Sequence, residues 1–238
     1  MGTRMSTHHC LFITVNEQEK KATMQLTITQ GIQRLFFTSD THYGHTNICS
    51  ATSNWESQRQ KRQFPSLDAM NTALVNNING VVGEDDVLIH LGDWSFGGFD
   101  NIAEFRNRIH CRNIHLVYGN HDHHQRNNRD NIQSLFSSCH DYLPLDLRIR
   151  STASKNSKVT KHRIVCMHFP IASWDGMSRG DAHFHGHVHL PPHQRLGRGR
   201  SLDVGVDGNG LAPIEVERAL AMVYNQPIHN LSLASDHH

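Results

Sequence analysis

Cysteine is scarce and ill-spaced in this chain. Its 238 residues hold five: Cys10, Cys49, Cys111, Cys139 and Cys166. The number is odd and no two stand at Cys-x-x-Cys spacing. That argues against a disulfide framework or a thiolate zinc site, and favours a reducing compartment with buried, inert thiols. Long apolar runs are missing too, since none approaches the roughly 18–20 residues a membrane span needs. The apolar patch from Cys10 to Val15 is short and lacks a small-residue cleavage pattern, so it is a poor signal peptide. We therefore expect a cytoplasmic protein without membrane contact. Net charge is nearly absent, at +1, so nothing pulls the whole molecule toward nucleic acid or acidic lipid, although a local basic groove stays open. The apolar fraction, 37%, is low but above that of a disordered chain. No internal repeat or low-complexity block occurs, and the length fits one large domain or two small ones.

Histidine is what the chain has in excess, with 21 residues. The pairs near the ends, His8-His9 and His237-His238, read as solvated. Others follow runs of apolar, often β-branched residues, where α/β enzymes build their sites. Leu35-Phe36-Phe37-Thr38 reads as a buried strand running into Asp40. Pro65-Ser66 opens a helix with Leu67, Met70, Leu74, Val75 and Ile78 near helical period, ended by Gly80. Val87 to Leu91 is a second strand, and Ile114 to Tyr118 a third. Between them Asp100 caps a helix over Ile102, Phe105 and Ile109. A weaker helix covers Ile132 to Ser138. Leu145 to Arg150 and Lys161 to Met167 form a hairpin across the polar turn Ser151 to Lys158. His183 to His185 and Leu202 to Val206 are further strands, and Pro213 opens a last helix. Residues 1–30 read as an extension or a stray strand, 31–225 as the domain and 226–238 as a polar tail. Strand–helix alternation giving way to successive strands favours an α/β fold, with a mixed sheet or two packed sheets and helices outside.

Five short motifs lie on this frame. Asp40 and His42 are two residues apart; on a strand that spacing puts both side chains on one face, so one ion can take both. Gly92-Asp93 supplies a carboxylate whose two oxygens can bridge two ions. In Gly119-Asn120-His121-Asp122 the glycine permits a tight turn and Asn120 offers a carbonyl oxygen. His121 suits a general acid, and Asp122 is placed to orient its ring and favour the protonated form. His168 follows Ile164-Val165-Cys166-Met167. His187 and His189 make a second pair two apart, and His183 and His185 read as packing or support for the ligands. Trp94, Phe96 and Trp174 flank motifs and are candidates to stack on a base or aryl group, or to be core. Arg126, Arg129 and Arg179 are candidate phosphate contacts. Singly, each motif has an ordinary explanation as a turn or a structural histidine. Five in order do not.

The order resembles the calcineurin-like metallophosphoesterase superfamily, whose pattern is Asp-x-His, Gly-Asp, Gly-Asn-His-Asp/Glu, His and Gly-His-x-His. All five blocks match, from Asp40 to His189. A nearer resemblance is to small phosphoesterases of bacteria and phages. Ser39-Asp40-Thr41-His42-Tyr43-Gly44-His45, Gly92-Asp93-Trp94-Ser95-Phe96-Gly97, His168-Phe169-Pro170 and Val204-Gly205-Val206-Asp207 carry it. Where that group has Arg-Pro-Phe, this chain has Arg62-Gln63-Phe64. The resemblance implies a four-layer α/β/β/α sandwich. It implies that Asp40, His42, Asp93 and His189 hold one divalent ion, and Asp93, Asn120, His168 and His187 a second, with Asp93 bridging. The donor set is oxygen and imidazole, which suits Mn²⁺, Fe, Zn²⁺ or Ni²⁺; affinity order alone does not choose among them, and Mn²⁺ is the first expectation. The implied activity is that of a dinuclear-metal-dependent phosphoesterase, first of all a phosphodiesterase, on a small phosphate ester or nucleotide. A hydroxide bridging the ions attacks phosphorus, Asn120 and His121 contact substrate, and His121, supported by Asp122, protonates the leaving group.

Two other readings stand beside this one. A metal-dependent nuclease would use the basic runs Arg59-Gln60-Lys61-Arg62 and Arg195 to Arg200 to track a phosphate backbone. A catalytically weak metal-binding scaffold would keep the fold without turnover, and the presence of His121 and every ligand speaks against it.

Overall fold

The computed structural model describes residues 23–57, 61–152 and 158–229. The N-terminal readings up to residue 22, including His8-His9 and Cys10, lie outside the described residues. So do Arg59, Gln60, most of the expected hairpin turn and the tail from residue 230.

In chain order, β1 (Met24–Thr29) and β2 (Leu35–Thr38) precede α1 (Leu67–Val81). Next come β3 (Val87–His90), α2 (Gly98–Arg108), β4 (Asn113–Val117) and the short α3 (His123–Arg126). The strands β5 (Ser138–His140), β6 (Leu143–Arg150), β7 (Val159–Cys166), β8 (Ala182–His185), β9 (Ser201–Asp203) and β10 (Ile214–Glu215) follow, and α4 (Val216–Tyr224) closes the fold. They make two mixed five-stranded sheets, ordered β10-β2-β3-β4-β5 and β1-β6-β7-β8-β9. In the first sheet only β10 runs antiparallel, and in the second only the β6–β7 hairpin does. The molecule is thus an α/β two-sheet sandwich flanked by helices.

The burial pattern explains the sequences. The strand residues Phe37, Ile89 and Val117 of one sheet face Leu145, Ile164 and Phe184 of the other in a shared core. Phe36, Leu88, Ile114 and Leu116 point the other way, onto Val75, Ile78, Ile102 and Phe105 of α1 and α2. Strands covered on both faces read as continuous apolar runs. Among the described residues, the 3-10 turn Met177–Arg179 covers the outer side of the second sheet, packing Met177 with Trp174 and Val165. Phe184 is fully buried and meets the Phe37 ring edge-on at 4.9 Å. We expect Phe184→Ala to cost about 3–5 kcal/mol, read from urea unfolding, since it leaves a cavity between the sheets.

Several expectations need correction. Of the two readings of residues 1–30, the strand holds for Met24–Thr29, which pairs in parallel with β6 as the edge of the second sheet. The boundary at residue 30 therefore follows a strand instead of preceding the domain. Gly80 does not end α1, which runs to Val81. Its start was legible, because Ser66 Oγ accepts from Ala69 N at 3.0 Å, satisfying one orphan donor. Asp100 does not cap α2; it sits in the first turn after Gly97, whose φ is 95°, where a carboxylate meets the helix dipole. Residues 129–135 form a 3-10 stretch, and Ser138 already belongs to β5. Pro213 leads into the short β10 before α4 begins.

Cys49, Cys111 and Cys166 are buried free thiols and Cys139 is a half-buried one. No helix of the described residues is long and apolar enough to cross a membrane.

Candidate metal centre

The loops after β2, β3, β4, β7 and β8 meet at one end of the sandwich and bring all seven expected ligands together. Asp40, His42, Asp93 and His168 are buried, while Asn120, His121 and His187 stand exposed at the mouth. The physical basis differs from the expected strand alternation. Asp40 (φ 56°), His42 (φ 49°), Asp93 (φ 57°), His187 (φ 73°) and His189 (φ 50°) all adopt left-handed backbone. Each such residue costs about 1–2 kcal/mol, and strain of this kind gathers at functional sites. Neighbouring loops hold the strained turns: Asp40 N donates to Gly92 O at 2.9 Å and His42 N to Asp93 O at 3.0 Å. His187 N donates to both oxygens of Asp40, at 3.1 and 3.0 Å. Gly119 and Gly186 are required by close approach; a Cβ would overlap Asp93 Oδ1 at the first and Ser39 Oγ at the second.

The donor atoms form two groups that share a carboxylate. Asp40, His42 and His189 each offer one atom within 4.8 Å of the others, and so do Asp40, Asp93 and His168. These buried groups can bind a metal ion. Asp40 belongs to both, a sharing the motif reading had given to Asp93 alone. Asp93 Oδ2 nonetheless lies 3.5 Å from both His42 Nε2 and His168 Nε2. Asn120 Oδ1 stands 3.0 Å from His168 Nε2 and 3.0 Å from His187 Nδ1.

Proton placement tests whether a cation fits. His168 Nδ1 lies 2.7 Å from Leu91 O, so that nitrogen carries the hydrogen and Nε2 presents a lone pair. Burial holds the His168 pKa at about 4, so the ring is neutral at pH 7. Its lone pair then faces Asp93 Oδ2 and Asn120 Oδ1, which are acceptors as well. His189 Nδ1 is fixed by Asp207 Oδ2 at 2.7 Å, and its Nε2 points toward Asp40 Oδ1 at 3.8 Å and His42 Nε2 at 3.1 Å. Burial raises the Asp40 pKa to about 7, against the pull of His189, and burial pushes His42 well below its ordinary value. Acceptors converging without enough protons between them are what a divalent cation relieves.

A second layer of bonds holds the donors. Arg62, buried, donates from Nε to Asp207 Oδ1 at 2.8 Å and from Nη2 to Asp207 Oδ2 at 3.0 Å. The same guanidinium donates to Thr41 O at 2.7 Å and Asp40 O at 2.6 Å. One side chain thus ties the Asp40–His42 loop to the carboxylate that orients His189. Arg62 and His189 hold the Asp207 pKa down despite burial, and His189 is correspondingly raised.

Asp122 corrects an expectation. Its carboxylate does not reach the His121 ring. It accepts from Asp93 N at 2.7 Å, Trp94 N at 3.0 Å, Gly119 N at 2.8 Å and Gln125 Nε2 at 3.1 Å. It staples the Asp93 loop to the Asn120 loop, and burial raises its pKa. His121 faces the cleft, its backbone N–H bonded to Asp93 Oδ1 at 2.9 Å and its ring 4.7 Å from that of Phe96.

Other candidates resolve as follows. Trp94 is core, with Nε1 donating to Ile102 O, and Trp174 packs on His183 at the second sheet's outer face. Arg126 pairs with Asp141 and Arg179 with Asp175; Arg129 is exposed. In the basic runs, Arg62 and Arg195 are buried and Arg195 donates to Gly208 O. Arg200 donates to Gly180 O and lies over Tyr224. His183 and His185 are buried, bonded to Val165 O and Gly186 O. His45, Trp55 and the Arg62–Asp207 pair were not singled out as site residues.

No family model matches the chain. A stretch of 93 residues, 38% of this chain, is 29% identical to an uncharacterized protein of Methanocaldococcus jannaschii. That match spans 48% of the relative's length. The crystal structure of a protein of unknown function from Aquifex aeolicus aligns over 80% of this chain and 98% of its own, with a TM-score of 0.54 and 22% identity. The two chains share a fold.

Proposed function

We propose that this chain is a calcineurin-like, dinuclear-metal-dependent phosphoesterase, first of all a phosphodiesterase acting on a small phosphate ester or nucleotide. The observation that carries this reading is the pair of donor groups meeting at Asp40 and Asp93, with the lone pair of the neutral His168 ring facing Asp93 Oδ2. Asp40, His42, Asp93 and His189 would hold one ion, and Asp93, Asn120, His168 and His187 the other, Mn²⁺ in the first instance. Two divalent ions there would neutralise phosphate charge and activate a water nucleophile. The rest is work for the chain's own groups. Exposed Asn120 and His121 meet the substrate at the mouth. His121 passes a proton to the leaving oxygen, its ring steadied by Phe96 and its backbone by Asp93. Asp122 acts at one remove, by keeping the Asp93 and Asn120 loops in register.

The nuclease alternative draws little from the basic runs, since Arg62 and Arg195 spend their donors inside the fold. The test is hydrolysis of bis-p-nitrophenyl phosphate beside p-nitrophenyl phosphate by Mn²⁺-loaded protein, with a chelated control. Diester cleavage that chelation abolishes is the expected result. His121→Ala should lower kcat by about 10²–10⁴-fold while Mn²⁺ binding, measured by calorimetry, stays as in the parent. Two equivalents of bound Mn²⁺ with neither ester turned over would favour the scaffold reading instead.

A further inference from the structure

The cleft over the donor atoms has two unlike walls. It encloses about 270 Å³. One wall is the donor set with His121. The other is made of His45, Ile48, Trp55 and Phe96. The His45 ring lies flat on Phe96, with centroids 3.7 Å apart and planes 11° apart. Trp55 meets His45 at 5.6 Å with planes at 85°, so the rings form a corner. Trp55 is 38% exposed, whereas Trp94 and Trp174 are buried. What sets this exposed residue apart is its place at the rim of the polar cleft, at right angles to the His45 ring.

Resting on the phosphoesterase reading for where the phosphate sits, we propose that this corner receives a flat aromatic ring of the substrate. The site then takes a phosphate ester carrying a nucleobase or aryl group, and Trp55 is the residue that selects for it. Stacking of a base on an aromatic side chain is sequence-tolerant and strong enough to change affinity by about tenfold or more.

The test is calorimetric binding of three probes to Mn²⁺-loaded protein: thymidine 5′-phosphate, phenyl phosphate and glycerol 3-phosphate. The parent should bind one or both aromatic probes at least about tenfold more tightly than glycerol 3-phosphate. Thymidine alone being favoured assigns the corner to a nucleobase; both being favoured equally assigns it to any aryl ring. That preference ratio should fall below about threefold in Trp55→Ala and largely return in Trp55→Phe. Equal affinity for all three probes, or a ratio that Trp55→Ala leaves intact, overturns the inference. The outcomes separate it from the reading beneath it. Ester hydrolysis without aromatic preference keeps the phosphoesterase and removes the stacking site. Aromatic preference without hydrolysis of any ester does the reverse.

Discussion

Asp207→Asn should weaken Mn²⁺ binding by about 10–100-fold, the usual effect of removing a partner that orients a metal-binding imidazole. The carboxylate serves two donors at once, His189 Nδ1 and the Arg62 guanidinium. Oδ2 accepts from both His189 Nδ1 and Arg62 Nη2 and Oδ1 from Arg62 Nε, and an amide turns one of these two oxygens into a donor. Its NH₂ then faces an arginine N–H, alone or together with the imidazole N–H, and either the guanidinium or the His189 tautomer gives way. The variant should also lose stability without metal. The Arg62 side chain is 4% exposed, and a buried charge stripped of its counter-charge costs about 3–5 kcal/mol. Urea unfolding of the metal-free protein and Mn²⁺ calorimetry read the two effects separately. The double variant Arg62→Met, Asp207→Leu should recover much of the stability, since no charge is left unpaired, but not the ion affinity. An Asp207→Asn protein that binds Mn²⁺ as the parent does would remove the orienting role.

That pair also shows where sequence reasoning stopped. Arg62 and Asp207 are 145 residues apart, and neither sits in a pattern whose periodicity predicts a contact. The strands were legible because Leu35 to Phe37 and Val87 to Ile89 are buried on both faces and so read as unbroken apolar runs. The ligands were legible because glycines and apolar runs mark the strand ends. The reason given for their grouping failed, because period-two alternation presumes extended backbone and Asp40, His42, His187 and His189 all have positive φ. Asp122 misled through adjacency. Standing next to His121 in sequence suggested a side-chain pair, yet its carboxylate turns inward to the N–H groups of residues 93, 94 and 119. The edge strand Met24–Thr29 shows in the alternation of its residues, but its partner does not, because β6 lies over a hundred residues away.

Acid should unfold the metal-free protein between about pH 4 and 5, well above where the carboxylates of most domains force unfolding. Burial holds His90 at about 3 and His168 and His183 at about 4, and all three are fully buried. In the unfolded chain each titrates near 6.5. Below that pH the unfolded state binds protons that the native state refuses. Their contribution is therefore intact above pH 6.5 and lost as pH falls toward 4, at about 1.4 kcal/mol per residue per pH unit. Three such residues give about 4 kcal/mol per unit, and His42 adds in the same direction. Asp40 opposes them: its raised native pKa, about 7, means that the native state takes its proton first, which returns about 1.4 kcal/mol per unit over the same range. The histidines win. Their net loss between pH 6.5 and 4.5, about 6–8 kcal/mol, is comparable to the whole stability of a typical domain. Above pH 6.5 the sign reverses, because Asp40 and His189 shed protons that favour the fold, so stability should peak near pH 6.5. Urea unfolding between pH 5 and 8 reads the curve, and a flat response from 5 to 7 would refute it. His90 and His183 lie outside the donor set, so His183→Gln should reduce the acid slope by about one proton without touching the ion site. In Mn²⁺-loaded protein the same variant separates imidazole burial from metal release, which acid also promotes by protonating His168.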